Sequence, residues 1–111
     1  MSAIVERAEA EYLYFPLKSA TGGSGLTGVE VVAVDLTDAD GRTGIGFSYA
    51  LKGGGRLAVA AARDLAADHV VGKPADAPMA TWRGMNAALN RLGRGLHYLA
   101  MAAIDVALWD L

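Results

Sequence analysis

The chain has 111 residues, 53% hydrophobic and 20% charged, a balance that supports one folded domain with a sizeable core. Net charge is −2 at pH 7 and no Lys/Arg cluster occurs, so neither a nucleic acid nor an anionic membrane has electrostatic support as a partner. Cysteine is absent, which excludes a disulfide framework and thiol chemistry and fits a cytoplasmic setting. Glu6, Arg7, Glu9 and Glu11 stand where a secretory signal needs an apolar run.

Ile4 to Phe15 carries β-formers at both ends with charges between them, and Pro16 closes the clearest part, Tyr12 to Phe15. An edge strand over Ala3–Leu17 is expected. Lys18 to Gly28 (KSATGGSGLTG) holds four glycines and four hydroxyl side chains with little to bury, which predicts a mobile loop. Val29 to Leu36 is the best strand in the chain. Alternation puts Val32, Val34 and Leu36 on one face, Val31 and Ala33 on the other. Asp38-Ala39-Asp40-Gly41 has hairpin-turn chemistry. Thr43 to Ala50 returns as a strand with Ile45, Phe47 and Tyr49 on one face. Gly44, Gly46 and Ser48 face the other way and leave room for a second backbone. These segments make a three-stranded antiparallel meander.

Beyond Gly53-Gly54-Gly55 the period changes. Arg56 to Val70 is Ala-rich with Leu57, Ala61, Leu65 and Ala66 near helical spacing. Gly72, Pro74 and Pro78 break that helix. Thr81 is the expected N-cap of a second helix through Asn90, with Trp82, Met85, Ala88 and Leu89 as its apolar stripe. Gly93 and Gly95 precede a third helix from His97 to Leu111, apolar on every side apart from His97, Asp105 and Asp110, and therefore expected to be buried. It is too short to span a membrane. Ending at Leu111 without a cap, it reads as a cut through a larger protein. Three strands followed by three helices is an α+β fold.

No motif here carries chemistry by itself. The glycine runs lack both the GxxxxGK[ST] and the GxGxxG pattern for phosphates. Aligning Gly41 as the sixth residue of a calcium loop puts Leu36 and Phe47 at ligand positions that require acids. His69 and His97 have no metal-ligand spacing, and His69 suits the C-terminal end of its helix. Asp105 shares a helix face with Met101, Ala102, Leu108 and Trp109, so partial burial is expected, with an Arg or a backbone amide as its anchor. No nucleophile–base pair or carboxylate dyad can be assembled from spacing.

Order and wording together are more specific. VVAVDLTDADGRTGIGFSY (Val31–Tyr49), RLAVAAARDLAADHVVGKPA (Arg56–Ala75) and LAMAAIDVALWDL (Leu99–Leu111) resemble the N-terminal capping domain of the mandelate racemase / muconate lactonizing enzyme branch of the enolase superfamily. AAIDVALWDL is the most specific element, and the hairpin with Thr43-Gly44-Ile45-Gly46 is the second marker. The resemblance implies a single capping domain over 1–111, with a C-terminal (β/α) barrel absent from this chain. The intact enzyme would abstract the proton α to a carboxylate and hold the enediolate on Mg²⁺, whose ligands and base sit on the barrel. This chain would then have no catalytic or metal-binding residue and be inactive alone. By position its two lid loops are Ser19–Thr27 and Tyr49–Gly54, with Thr21, Ser24, Leu26, Tyr49 and Leu51 facing a small carboxylate substrate as part of a racemase, cycloisomerase or acid-sugar dehydratase. The barrel is the implied partner, within a homo-oligomer. Without its seat the domain is expected to self-associate or to be poorly stable. The competing expectation is an independent, non-catalytic α+β binding or assembly module.

Overall fold

The computed structural model describes residues 3–21, 25–51 and 53–111. Strands β1 (Val5–Thr21), β2 (Leu26–Asp38) and β3 (Thr43–Ala50) precede helices α1 (Gly55–His69), α2 (Pro78–Leu92) and α3 (Leu96–Asp110). The sheet is an antiparallel meander in the order β1-β2-β3. Both the α+β class and the element order expected from the sequence hold.

Alternation on β2 is as expected: Val32, Val34 and Leu36 are buried under the helices, and Val31 and Ala33 sit on the opposite face. α1 contributes Ala58, Val59, Ala62 and Leu65 to the same core, α2 contributes Met85 and Leu89, and α3 contributes Ile104 and Leu108. The β2–β3 turn is held by Asp38, whose carboxylate accepts from the Asp40 and Arg42 amides at 2.9 Å each. Arg42 Nε adds an ion pair at 3.3 Å, which satisfies a carboxylate only 4% exposed.

Gly44 and Gly46 work as the alternation suggested. α3 lies directly on β3, and a Cβ on Gly44 would stand 2.6 Å from the Leu111 amide nitrogen. A Cβ on Gly46 would collide with the Ala103 carbonyl and the Ala107 amide. Only a residue without a side chain lets the helix backbone approach the strand this closely. Ser48 next along the strand donates to the Leu99 carbonyl.

Several expectations are corrected. The mobile loop over Lys18–Gly28 is strand at both ends, since β1 continues to Thr21 and β2 starts at Leu26, with Pro16 opposite Gly28 and Thr21 opposite Leu26. Backbone pairing needs no apolar side chains, and Pro16 is tolerated because β1 is an edge strand. Residues 22–24 lie outside the described part. Thr81 is not an N-cap. α2 starts at Pro78 behind Ala77, where the fixed φ of proline suits the first helical turn, and the Thr81 amide already donates to the Ala77 carbonyl. α3 is not buried all round: Tyr98, Val106 and Trp109 line an open side.

Both outer edges of the sheet meet a side chain from a helix. On β1 the Arg63 guanidinium donates to the Ala10 carbonyl, with Nη2 at 3.0 Å. On β3 the Ile45 amide donates to Asp110 Oδ2 at 2.8 Å.

Candidate functional site

β1 runs 17 residues and α1 runs 15. At about 3.3 Å per strand residue and 1.5 Å per helix residue, the hairpin is more than twice as long as the helix lying on it. The far part of β1 and β2 therefore forms an arm past the helical layer, in a molecule 52 Å long and 18 Å thick. At the base of this arm the chain leaves β3 and turns through Gly53–Gly55 into α1.

A recess lies between arm and turn. Tyr12, Tyr14, Leu26, Thr27, Glu30 and Gly53 line it. The Tyr12 hydroxyl donates to Glu30 Oε1 at 2.9 Å, and the Arg56 guanidinium carbon lies 4.4 Å from the centre of the Tyr12 ring. Burial and the hydrogen bond to Glu30 raise the Tyr12 hydroxyl above its ordinary pKa, so it keeps its proton and remains a donor. The opposite face of the sheet is open and carries an apolar patch flanked by the exposed charges of Glu9, Glu11 and Asp35. Phe15, Ile45, Phe47 and Tyr49 are each more than half exposed there.

The residues expected to face substrate are distributed as follows. Thr21 ends β1 opposite Leu26, the first residue of β2. Ser24 lies outside the described residues. Leu26 lines the recess, whereas Tyr49 pairs with Val31, five residues further along β2 and about 16 Å away, on the face with Phe47. Leu51 follows β3 and is exposed. Leu26 and Tyr49 thus border different surfaces of the arm. Tyr12, Tyr14, Glu30 and Arg56 were missed by sequence reasoning. The signal was present in the expected strand, since Glu30 stands two residues before Val32 on the face turned to the helices, and β1 pairing places Tyr12 opposite Val32 and Tyr14 opposite Glu30.

Asp105 is half-buried on α3, and its partner is the Trp109 indole N–H in place of an Arg or a backbone amide. Desolvation raises its carboxyl pKa, and that bond opposes the rise. Among the described residues no three His, Asp or Glu side chains group to hold a metal ion, and Asp38 and Asp110 are engaged with backbone amides. The described residues do not fit a Mg²⁺ site. Among them, no helix is long and apolar enough to cross a membrane.

Residues 2–111 match the family model of the mandelate racemase / muconate lactonizing enzyme N-terminal domain. The chain belongs to this family. It is 32% identical to the 3,6-anhydro-alpha-L-galactonate cycloisomerase of Streptomyces coelicolor, over 97% of this chain and 31% of that enzyme. It is 34% identical to the L-talarate/galactarate dehydratase of Salmonella typhimurium, over 78% of this chain and 22% of the relative. A racemase from Streptomyces coelicolor, solved with bound magnesium, superposes with a TM-score of 0.90 at 28% identity, covering 97% of this chain and 31% of that one. The chain thus spans between a fifth and a third of the curated relatives it matches. Its relatives in this N-terminal-domain family are enolase-superfamily enzymes: a cycloisomerase, a dehydratase and a racemase.

Proposed function

We propose that this domain caps the active site of a Mg²⁺-dependent enolase-superfamily enzyme that abstracts the proton α to the carboxylate of an acid sugar or a related small carboxylate. The observation that carries this reading is the arm, which extends past the helical layer beside the Gly53–Gly55 turn and contributes no described residue beyond Val32 to the core. The chain's own residues would bind and enclose substrate while the metal ligands and the base stand on a (β/α) barrel. A Mg²⁺ ion held by barrel carboxylates would supply electrostatic stabilisation of developing negative charge, and this domain would be inactive alone. Leu26 would supply an apolar wall from the recess, Tyr49 one from the other surface of the arm and Leu51 one from the end of β3, with Thr21 and Ser24 as polar contacts. Galactarate and L-talarate, named for one relative, are the first substrates to test. Absence of cysteine supports a cytoplasmic setting, and the open apolar faces support a homo-oligomer.

A chimera tests the proposal. This chain replaces the matching N-terminal part of L-talarate/galactarate dehydratase, and turnover is measured with Mg²⁺. The expected result is activity in which Leu51→Ala or Tyr49→Ala raises KM about tenfold or more while kcat changes little. A chimera whose KM and substrate preference ignore these substitutions would overturn the capping role.

A further inference from the structure

Three side chains from three elements meet where the arm joins the glycine turn. Tyr12 is on β1, Glu30 on β2, and Arg56 in the first turn of α1. The Tyr12 hydroxyl donates to the Glu30 carboxylate, and Arg56 lies over the face of the same ring. The ring face is the negative part of an aromatic quadrupole, which attracts the guanidinium. The backbone at Gly55 fits against this group: a Cβ there would stand 2.8 Å from Glu30 Cβ and 2.9 Å from Tyr12 Cε2. Every part of the contact depends on the others, since Glu30 fixes the ring that Arg56 covers, and Gly55 leaves room for both.

We propose that Tyr12, Glu30 and Arg56 form a clasp that sets the spacing between the arm and the Gly53–Gly55 turn, and that they are positioning residues for both segments. Its consequence for substrate rests on the capping role proposed above, while its geometry does not. None of the three has to touch substrate. They act by keeping two bordering segments in one register, so that a contact made by one segment is delivered at a fixed distance from the other.

Hydrogen exchange of the whole chain tests the clasp directly, comparing amides at 58–61, the first hydrogen-bonded turn of α1, with amides in the middle of α3. Tyr12→Phe keeps the ring and removes the donor. Exchange at 58–61 should accelerate about three- to tenfold, with α3 unchanged. Arg56→Ala should accelerate the same amides, Arg56→Lys should restore part of the protection, and the double variant Tyr12→Phe/Arg56→Ala should add less than the sum of the single effects. Glu30→Gln, which keeps the acceptor and the shape, gives a second measurement if Tyr12→Phe unfolds. Wild-type exchange at 58–61 in the single variants, or equal acceleration through every element, would overturn the clasp. In the chimera Tyr12→Phe should raise KM and leave kcat near its original value. Local loosening with an unchanged KM would refute the capping role and leave the clasp standing.

Discussion

Gly46 shows how one missing side chain decides an interface. Its Cα faces the backbone of α3 at Ala103 and Ala107, so Gly46→Ala must push the helix off the sheet. The expected cost is about 2–3 kcal/mol, read as a lowered midpoint in urea unfolding. Asp105 gives a pH signature. Its folded pKa is raised above the value of 3.8 for an unperturbed group, so the folded state holds the proton more tightly than the unfolded one. Its contribution is therefore fully present below that value and is lost as pH rises through the folded pKa. Asp105→Asn removes the charge and keeps an acceptor for Trp109. It should be more stable than wild type at pH 7, and the difference should shrink towards pH 4 in thermal melts.

At the level of elements, the sequence was most informative where side chains decide the outcome. The alternation of Val32, Val34 and Leu36 with Val31 and Ala33 marks the buried face of β2 from the sequence alone. Gly44 and Gly46 announced the close backbone contact. The arm was illegible because ladder hydrogen bonds belong to the backbone, and Pro16 opposite Gly28 and Thr21 opposite Leu26 form pairs that no apolar alternation marks. The start of α2 was misplaced because a capping hydroxyl at Thr81 was weighed above the fixed φ of Pro78. The recess stayed hidden because its partners come from three elements: Glu30 reads as a solvated charge until Tyr12 from β1 is placed beside it and Arg56 from α1 over that ring. The open face of the sheet has a separate consequence. Phe47 and Tyr49 are exposed beside Val31 and Ala33, and a polar β-former there should weaken self-association without unfolding the domain. Phe47→Thr should change stability by less than about 1 kcal/mol and shift sedimentation towards the monomer.

For the molecule as a whole, burial alone separates the core from the surfaces available to partners. The core is closed by α1, α2 and α3 on one side of the sheet, and among the described residues no buried side-chain nitrogen or oxygen lacks a partner. The other side of the sheet keeps an open apolar patch around Phe47 and Tyr49, and one flank of α3 is open as well. If the metal ligands stand elsewhere in the enzyme, titrating this chain with millimolar Mg²⁺ should give no saturable heat. A binding isotherm would relocate the site.

The guanidinium on the Ala10 carbonyl and the carboxylate on the Ile45 amide belong to opposite margins of one sheet. Each occupies a hydrogen-bonding position that an incoming peptide could otherwise use, so the two charges act as stoppers against fibre growth. Arg63→Ala and Asp110→Ala should both shorten the lag before thioflavin-positive fibrils appear in concentrated samples, and the double variant should shorten it most. Opening the margins in this way would leave the interior packing untouched, so a protein that still melts normally could nevertheless lose its shelf life.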